Sequence, residues 1–208
     1  MSGNKHRYCF RKGKFFVVMD SGTKGGRWIA LGPDRKVTIP FSILLLLAGL
    51  LENYIFRYCE SSMLAYILLF SYILTLVSYF YTSLLDPGII QASEDNSIEN
   101  KNTLEPLGYT YCSICGLYRP PNGYHCTDCG VCFYNHDHHC TFMGQCVAKN
   151  NLLSFYLFIA SLLVFLISLE VGAMTIFATK PEGIVRDINT LWLFLSTIMN
   201  SHHLRNDK

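Results

Sequence analysis

The residues able to do chemistry are crowded into one stretch. Seven of the nine cysteines and four of the seven histidines lie between residues 112 and 146. They are Cys112, Cys115, Cys126, Cys129, Cys132, Cys140 and Cys146, with His125, His136, His138 and His139. A C-x2-C pair puts two thiolates on one tight turn, where both can reach a single tetrahedral zinc ion. Two closed sites need eight ligands; the segment offers eleven, so three are in surplus. If Cys112, Cys115, Cys126, Cys129, Cys132 and Cys146 hold metal together with two histidines, Cys140 is unclaimed. It directly follows Asp137-His138-His139. An acid that orients an imidazole, and an imidazole that takes a thiol proton, are the parts of an activated nucleophile. Two Zn2+ ions close by are expected to favour the thiolate further. His136 has no assignment and reads as a surface residue. Thiols facing the cytosol stay reduced, so no disulfide framework is expected. A C-x2-C oxidoreductase fits poorly, because the cysteines are more than it needs and their spacing suits metal binding instead.

These residues must be positioned by elements that the composition identifies. Half of the 208 residues are apolar, 14% are aromatic and only 15% are charged, against about 25% charged in an ordinary soluble domain. That excludes a disordered chain and points to a membrane. Three apolar runs are long enough to cross a bilayer as helices, at 37–56, 63–85 and 152–177. The second stops at Asp86-Pro87-Gly88, which ends a helix and turns the chain. Glu52 and Glu170 sit near the ends of their runs, where a carboxylate can reach the headgroups. A fourth run, 188–199, is short enough to be an interfacial or partial span, followed by a polar tail at 200–208. Nine of the 17 lysines and arginines lie within residues 1–36, so this basic segment is expected in the cytosol. The stretch 86–151, with its core at 110–151, returns to the same side. No cleavable signal peptide is expected, since 1–36 lacks an apolar core. No internal repeat is expected, 91–107 reads as a polar linker, and Cys9 and Cys59 read as reduced bystanders. The predicted fold is an α-helical integral membrane protein. It has three transmembrane helices plus a short fourth, with a cytosolic two-zinc cysteine-rich domain between the second and third.

The stretch 112–155 resembles the cysteine-rich domain of the DHHC family of protein S-acyltransferases. The resemblance rests on Cys112-Ser-Ile-Cys115, Arg119-Pro120, His125-Cys126, Cys129, Cys132, Asp137-His138-His139-Cys140, Cys146 and Asn151-x3-Phe155. Asp86-Pro87-Gly88 is similar to the family's motif after its second span, and Arg119-Pro120-Pro121 is similar to the branch that includes Ras palmitoyltransferases. The resemblance implies two interleaved structural Zn2+ ions. Cys112, Cys115, His125 and Cys132 would hold one; Cys126, Cys129, His139 and Cys146 would hold the other. It implies Cys140 as nucleophile, His138 as base and Asp137 as its orienting partner. The implied reaction carries a palmitoyl group from acyl-CoA through a thioester on Cys140 to cytosol-facing cysteines of substrate proteins, Ras-like proteins among them.

The implied setting is an endomembrane, the endoplasmic reticulum or Golgi, with membrane lipid and an accessory subunit as further partners and no nucleic acid. Apolar walls for the acyl chain are expected from 66–72 and 152–158, and Lys149 and Arg119 are candidates for the CoA phosphates. The chain departs from the family pattern at Thr141-Phe142 (usually Pro-Trp), Gly144-Gln145 (usually Asn-Asn) and Val147-Ala148 (usually Val-Gly). It also lacks the downstream Thr-Thr-x-Glu motif. It is therefore expected to be a shortened or truncated member, with a catalytically inactive membrane zinc-binding interaction module as the alternative.

Overall fold

The computed structural model describes residues 7–20, 28–58, 62–180, 182–183, 188–190 and 192–193. The tail 200–208, most of the run 188–199 and Cys59 lie outside the described residues. Among the described residues three helices are long and apolar enough to cross a membrane: α1 (Arg35–Tyr58), α2 (Ser62–Leu84) and α4 (Leu152–Thr179). They start and stop within two residues of the expected runs. At 1.5 Å per residue each spans more than the roughly 30 Å of a hydrocarbon core.

How these helices pack follows from which side chains they turn inward. Leu44, Leu50, Phe70, Leu153 and Leu163 face outward, while α2 buries Ser71, Thr75, Ser78 and Thr82 and α4 buries Ser161, Ser168 and Gly172. In water that would be inside out. In lipid, apolar surface costs nothing, and small residues let two backbones approach closely. Each buried hydroxyl still needs a partner, and most bond back to their own helix, as Thr75 Oγ1 does to Ser71 O (2.7 Å) and Ser168 Oγ to Val164 O (2.7 Å). Thr82 Oγ1 also crosses to Ser154 Oγ at 2.8 Å. Glu52 is buried against this bundle rather than turned outward.

Between α2 and α4 the chain forms short 3-10 turns, a single helical turn α3 (Lys101–Leu104) and three hairpins. The expected linker is therefore folded locally; Glu105, at its end, accepts from Tyr118 at 3.0 Å. The hairpins are β4 (Thr110–Cys112) with β5 (Leu117–Arg119), β6 (Tyr124–Cys126) with β7 (Val131–Phe133), and β8 (His138–Cys140) with β9 (Gln145–Val147). Successive hairpins begin 14 residues apart, at Thr110, Tyr124 and His138, and their second strands at Leu117, Val131 and Gln145. The expectation that nothing repeats is overturned. Each hairpin turns through a glycine with positive φ, Gly116 (66°), Gly130 (71°) and Gly144 (75°), a region that glycine enters freely. Asparagine is the next most tolerant residue there, so either residue type would suit position 144.

The N-terminal segment is more than a basic tail. Strands β1 (Arg7–Lys12), β2 (Phe15–Asp20) and β3 (Trp28–Leu31) form an antiparallel sheet in that order. Phe15, Val17 and Ala30 are buried in one core with Ile89, Cys126, Cys129, Val131, Phe133, Cys146 and Ala148. Lys14 N donates to Cys129 O at 3.0 Å, and its Nζ donates to Thr127 O at 3.1 Å. Where this sheet passes into α1, Gly32 lies so close to the third hairpin that a Cβ there would fall 1.8 Å from Gly144 O.

Backbone cannot move aside as a flexible side chain can. Gly32→Ala is expected to cost about 1–3 kcal/mol, the usual range for overpacking. A lowered unfolding midpoint of the detergent-purified protein checks this; an unchanged midpoint would mean the contact is not tight.

Candidate metal centres and reactive cysteine

The repeat dictates where the ligands go. In the first two hairpins the turn between strands carries the C-x2-C knuckle, and in all three the middle residues of the two strands face each other. Cross-strand partners are Tyr111 and Tyr118 in the first hairpin, His125 and Cys132 in the second, His139 and Cys146 in the third. A knuckle's two thiolates meet the His–Cys pair of the hairpin that follows. Cys112 and Cys115 gather with His125 and Cys132, and Cys126 and Cys129 gather with His139 and Cys146, all ligand atoms within a set lying within 4.8 Å of one another.

The donor spacing fits zinc. A tetrahedral ion with Zn–S of about 2.3 Å and Zn–N of about 2.0–2.1 Å needs S···N edges of about 3.5 Å and S···S edges of about 3.8 Å. His125 Nδ1 stands 3.6 Å from Cys112, 3.2 Å from Cys115 and 3.6 Å from Cys132. His139 Nδ1 stands 3.5 Å from Cys126, 3.4 Å from Cys129 and 3.5 Å from Cys146, and the Cys129 and Cys146 sulfurs are 3.6 Å apart. Two Cys3His sites of a size for one zinc each are thus present. Each would set three thiolates against one dication, a net formal charge of −1. The expectation that the ions supply positive charge to a neighbouring thiol is corrected on that ground; a closed Cys3His site is a structural clamp.

The ends of the repeat differ from its middle. The first hairpin has no knuckle before it, and in place of a His–Cys pair it has Tyr111 and Tyr118, packed ring to ring at 5.1 Å. The third has no hairpin after it, and in place of the second knuckle cysteine it has Met143, which is buried and accepts from Ser83 Oγ at 3.4 Å. Cys140 is the counterpart of Cys112 and Cys126 and belongs to neither ligand set. Its turn is rebuilt as well. Gly116 N and Gly130 N bond to Cys112 O and Cys126 O at 2.8 Å, whereas Gly144 N bonds to Thr141 O at 3.1 Å.

Strand β8 sorts its three residues by side. Successive side chains on a strand point to opposite faces, so with His139 in the second site, His138 and Cys140 share the other face. His138 Nδ1 is 2.8 Å from Asp137 Oδ2, and its ring packs on Phe155 at 5.1 Å. Half-buried Cys140 packs into a cluster of Leu45, Tyr79, Met143 and Phe158, flanked by Phe41, Leu76, Phe80 and the same Phe155. The thiol therefore sits where the third hairpin meets α1, α2 and α4.

Several residues that fix this junction have no role assigned to them from the sequence. The Tyr79 hydroxyl, fully buried, is 3.2 Å from Phe142 O, 3.3 Å from Thr38 O and 3.1 Å from Ser42 Oγ. Gln145 Nε2 donates to Thr82 O (2.6 Å) and Leu85 O (2.9 Å), tying the hairpin to carbonyls at the end of α2. Asn151 donates to Cys146 O at 3.1 Å and accepts from Ala148 N at 2.8 Å at the start of α4. Phe142 stacks on Phe41 at 5.2 Å. Asp34 Oδ2 lies 2.6 Å from His139 Nε2.

Other candidates are placed elsewhere. Tyr66 and Phe70 face outward, so within 66–72 the wall expectation does not hold for them, whereas Phe155 and Phe158 do border Cys140. Arg119 Nε bonds Thr110 Oγ1 across its own hairpin at 2.9 Å, and Lys149 lies over the Tyr134 ring at 5.7 Å. His136 is corrected from surface to half-buried. It packs against Tyr124 at 4.8 Å and Phe133 at 5.9 Å, with a buried Nε2 that has no hydrogen-bond partner.

Crowding the thiols spreads their acidities. A hydrogen bond from Cys146 brings Cys129 down to about 7, while the same contact and burial push Cys146 far above the usual thiol range. Burial likewise drives Cys132 up. Burial and the Arg119 charge push His125 down, which keeps it neutral as a ligand must be.

Compared with known families, residues 105–202, just under half of the chain, match the family model described as DHHC palmitoyltransferase. A comparison with curated proteins finds no match.

Loading a site with zinc displaces protons from Cys132 or Cys146, so affinity should fall as pH falls. Chelator competition between about pH 8 and about pH 6 is expected to show proton release on binding and progressive zinc loss on acidification. Cys129→Ser is expected to leave one zinc at most and to lower stability; a stable variant holding two would contradict the ligand sets.

Proposed function

We propose that this chain, whose residues 105–202 carry a DHHC palmitoyltransferase domain, is a membrane-embedded protein S-acyltransferase acting through a thioester on Cys140. The observation that carries the reading is the position of Cys140: outside both Cys3His sets, on one strand face with His138, and against an apolar mouth formed by three helices.

The catalytic roles follow from this position. Asp137 accepts from His138 Nδ1–H at 2.8 Å, which leaves Nε2 as the basic nitrogen. His138 and Cys140 are two residues apart on β8, about 6.6 Å between α-carbons, a gap that an imidazole and a thiol can span. In the first step His138 takes the thiol proton, and the Cys140 sulfur attacks the thioester carbon of a long-chain acyl-CoA. The carbon–sulfur bond to CoA breaks, and the CoA thiolate leaves with the proton from His138. In the second step His138 deprotonates a cysteine of a substrate protein. That sulfur takes the acyl group, and Cys140 regains its proton. One thioester replaces another throughout, so an activated thiol suffices.

Cys112, Cys115, His125 and Cys132 would hold one zinc, and Cys126, Cys129, His139 and Cys146 the other. Holding the ions, these residues would clamp hairpins whose three-residue strands are too short to be stable alone. A palmitoyl chain gains about 0.8 kcal/mol per CH2 in lipid. Its place is therefore among the helices, with Phe155, Phe158 and Leu45 around the head of the chain and the thioester at the membrane surface. Lysine and arginine in the N-terminal segment support a cytosolic site, where acyl-CoA and substrate thiols meet it. An endomembrane setting and Ras-like substrates rest on the family resemblance alone.

Purified protein incubated with labelled palmitoyl-CoA is expected to acquire label that hydroxylamine removes. Cys140→Ser should abolish it while zinc stays near two per chain. His138→Ala should keep both metals and slow self-acylation roughly 10²–10⁴-fold, the usual range for losing a general base. Full labelling of Cys140→Ser would remove that cysteine from its role, and no labelling of the parent protein would favour the non-catalytic zinc module.

A further inference from the structure

Asp34 is the residue immediately before α1. Its backbone oxygen does accept from Val37 N (2.9 Å) and Thr38 N (3.0 Å), opening α1. Its carboxylate goes elsewhere. Oδ2 is 2.6 Å from His139 Nε2, 105 residues away, with the imidazole mostly shielded and the carboxylate about two-thirds shielded from solvent. The other ring nitrogen, Nδ1, faces Cys126, Cys129 and Cys146.

A metal-ligating histidine needs a lone pair on the ligating nitrogen, so its proton must be on the other one. The group that accepts that proton's hydrogen bond sets the tautomer and the plane of the ring. Asp34 occupies that position for the second site. Among the described residues no carboxylate bonds to His125, whose side-chain partners are the three sulfurs of its own set. The two centres therefore differ in their outer support although their ligands are the same.

We propose that Asp34 is a positioning residue for the second metal centre. Its carboxylate holds His139 as the Nε2–H tautomer and strengthens metal binding there, and through this bond the start of α1 is locked to strand β8. Two further contacts converge on the same junction. Asp34 N donates to Gly144 O at 3.4 Å, and Thr38 Oγ1 donates to Thr141 O at 3.4 Å, so α1 grips the turn just after Cys140. The first span and the N-terminal sheet thereby become part of the support of the zinc module.

The inference rests on the fit of the second ligand set to zinc and not on acyl transfer, so a metal readout tests it without reference to activity. The full-length protein is loaded with cadmium in place of zinc and examined by NMR, which gives one resonance per site. Asp34→Asn keeps a hydrogen-bond acceptor but removes the charge; Asp34→Ala removes both. We expect each variant to shift one of the two cadmium resonances and leave the other in place. Zinc release to a chromogenic chelator should quicken for one ion only. Asp34→Ala is expected to lose roughly 10–100-fold in affinity at that site, the usual effect of losing such a partner, and Asp34→Asn less. Should Asp34→Ala fail to fold, Asp34→Asn alone decides. Unchanged resonances and release rates in Asp34→Asn, or an equal change at both sites, would overturn the proposal.

Discussion

The two-residue period of strand β8 governs this structure. One residue of the strand, His139, is drawn into a metal site, and the pleat then has no choice but to send His138 and Cys140 to the opposite face. A slip of one residue would exchange the sides, placing the reactive pair against the metal and the ligand against the membrane helices. Short strands do not fix register by themselves, and here the second ligand set does so from four directions, with Cys146 directly across from His139. The same constraint explains how a candidate structural centre stands next to a thiol that belongs to neither ligand set. Its net charge is of the wrong sign to activate sulfur, and what it supplies is register.

A second constraint is the seam between the zinc module and the helices. Helix ends leave carbonyls without partners, and at the end of α2 those carbonyls are satisfied by amides of the third hairpin and of the start of α4, through Gln145 and Asn151. Tyr79 adds a hydroxyl from within the bundle. Polar bonds at the seam and small residues within the bundle follow from the same fact: in lipid, apolar contact between helices brings little, whereas an unsatisfied polar group is costly. The departures from the family pattern are accommodated here. Glycine at 144 takes the positive φ, glutamine at 145 caps α2, and Phe142 keeps an aromatic contact with Phe41.

Much of this was legible before any coordinates. The three spans follow from apolar run length, since each is one continuous helix long enough to cross a bilayer. Residue type and C-x2-C spacing point to two metal sites with donors to spare, whereas the division into two sets with Cys140 outside both is what the family resemblance implies. The 14-residue repeat was equally open to view, as Cys-x2-Cys-Gly at 112 and 126 and Cys-x2-Met-Gly at 140. Counting ligands without aligning them conceals it, because the cysteine missing from the third copy is the one that would have completed the pattern. Aligned, the copies show why Cys140 is free: it begins a knuckle that no further hairpin completes.

What the sequence by itself determined about this protein is therefore whatever depends on neighbours along the chain: helical spans, knuckle turns and the residue types able to bind metal or attack a thioester. Tertiary structure alone decided that strands 7–12, 15–20 and 28–31 form a sheet on the cysteine-rich module, that Tyr79 and Gln145 hold the turn after Cys140, and that the Asp34 carboxylate reaches His139. The physical reason is range. Helix and turn signals act over a few residues, whereas an ion pair or a buried hydroxyl formed between segments more than sixty residues apart leaves no periodic trace in the sequence, and exists only once packing has brought its two ends together.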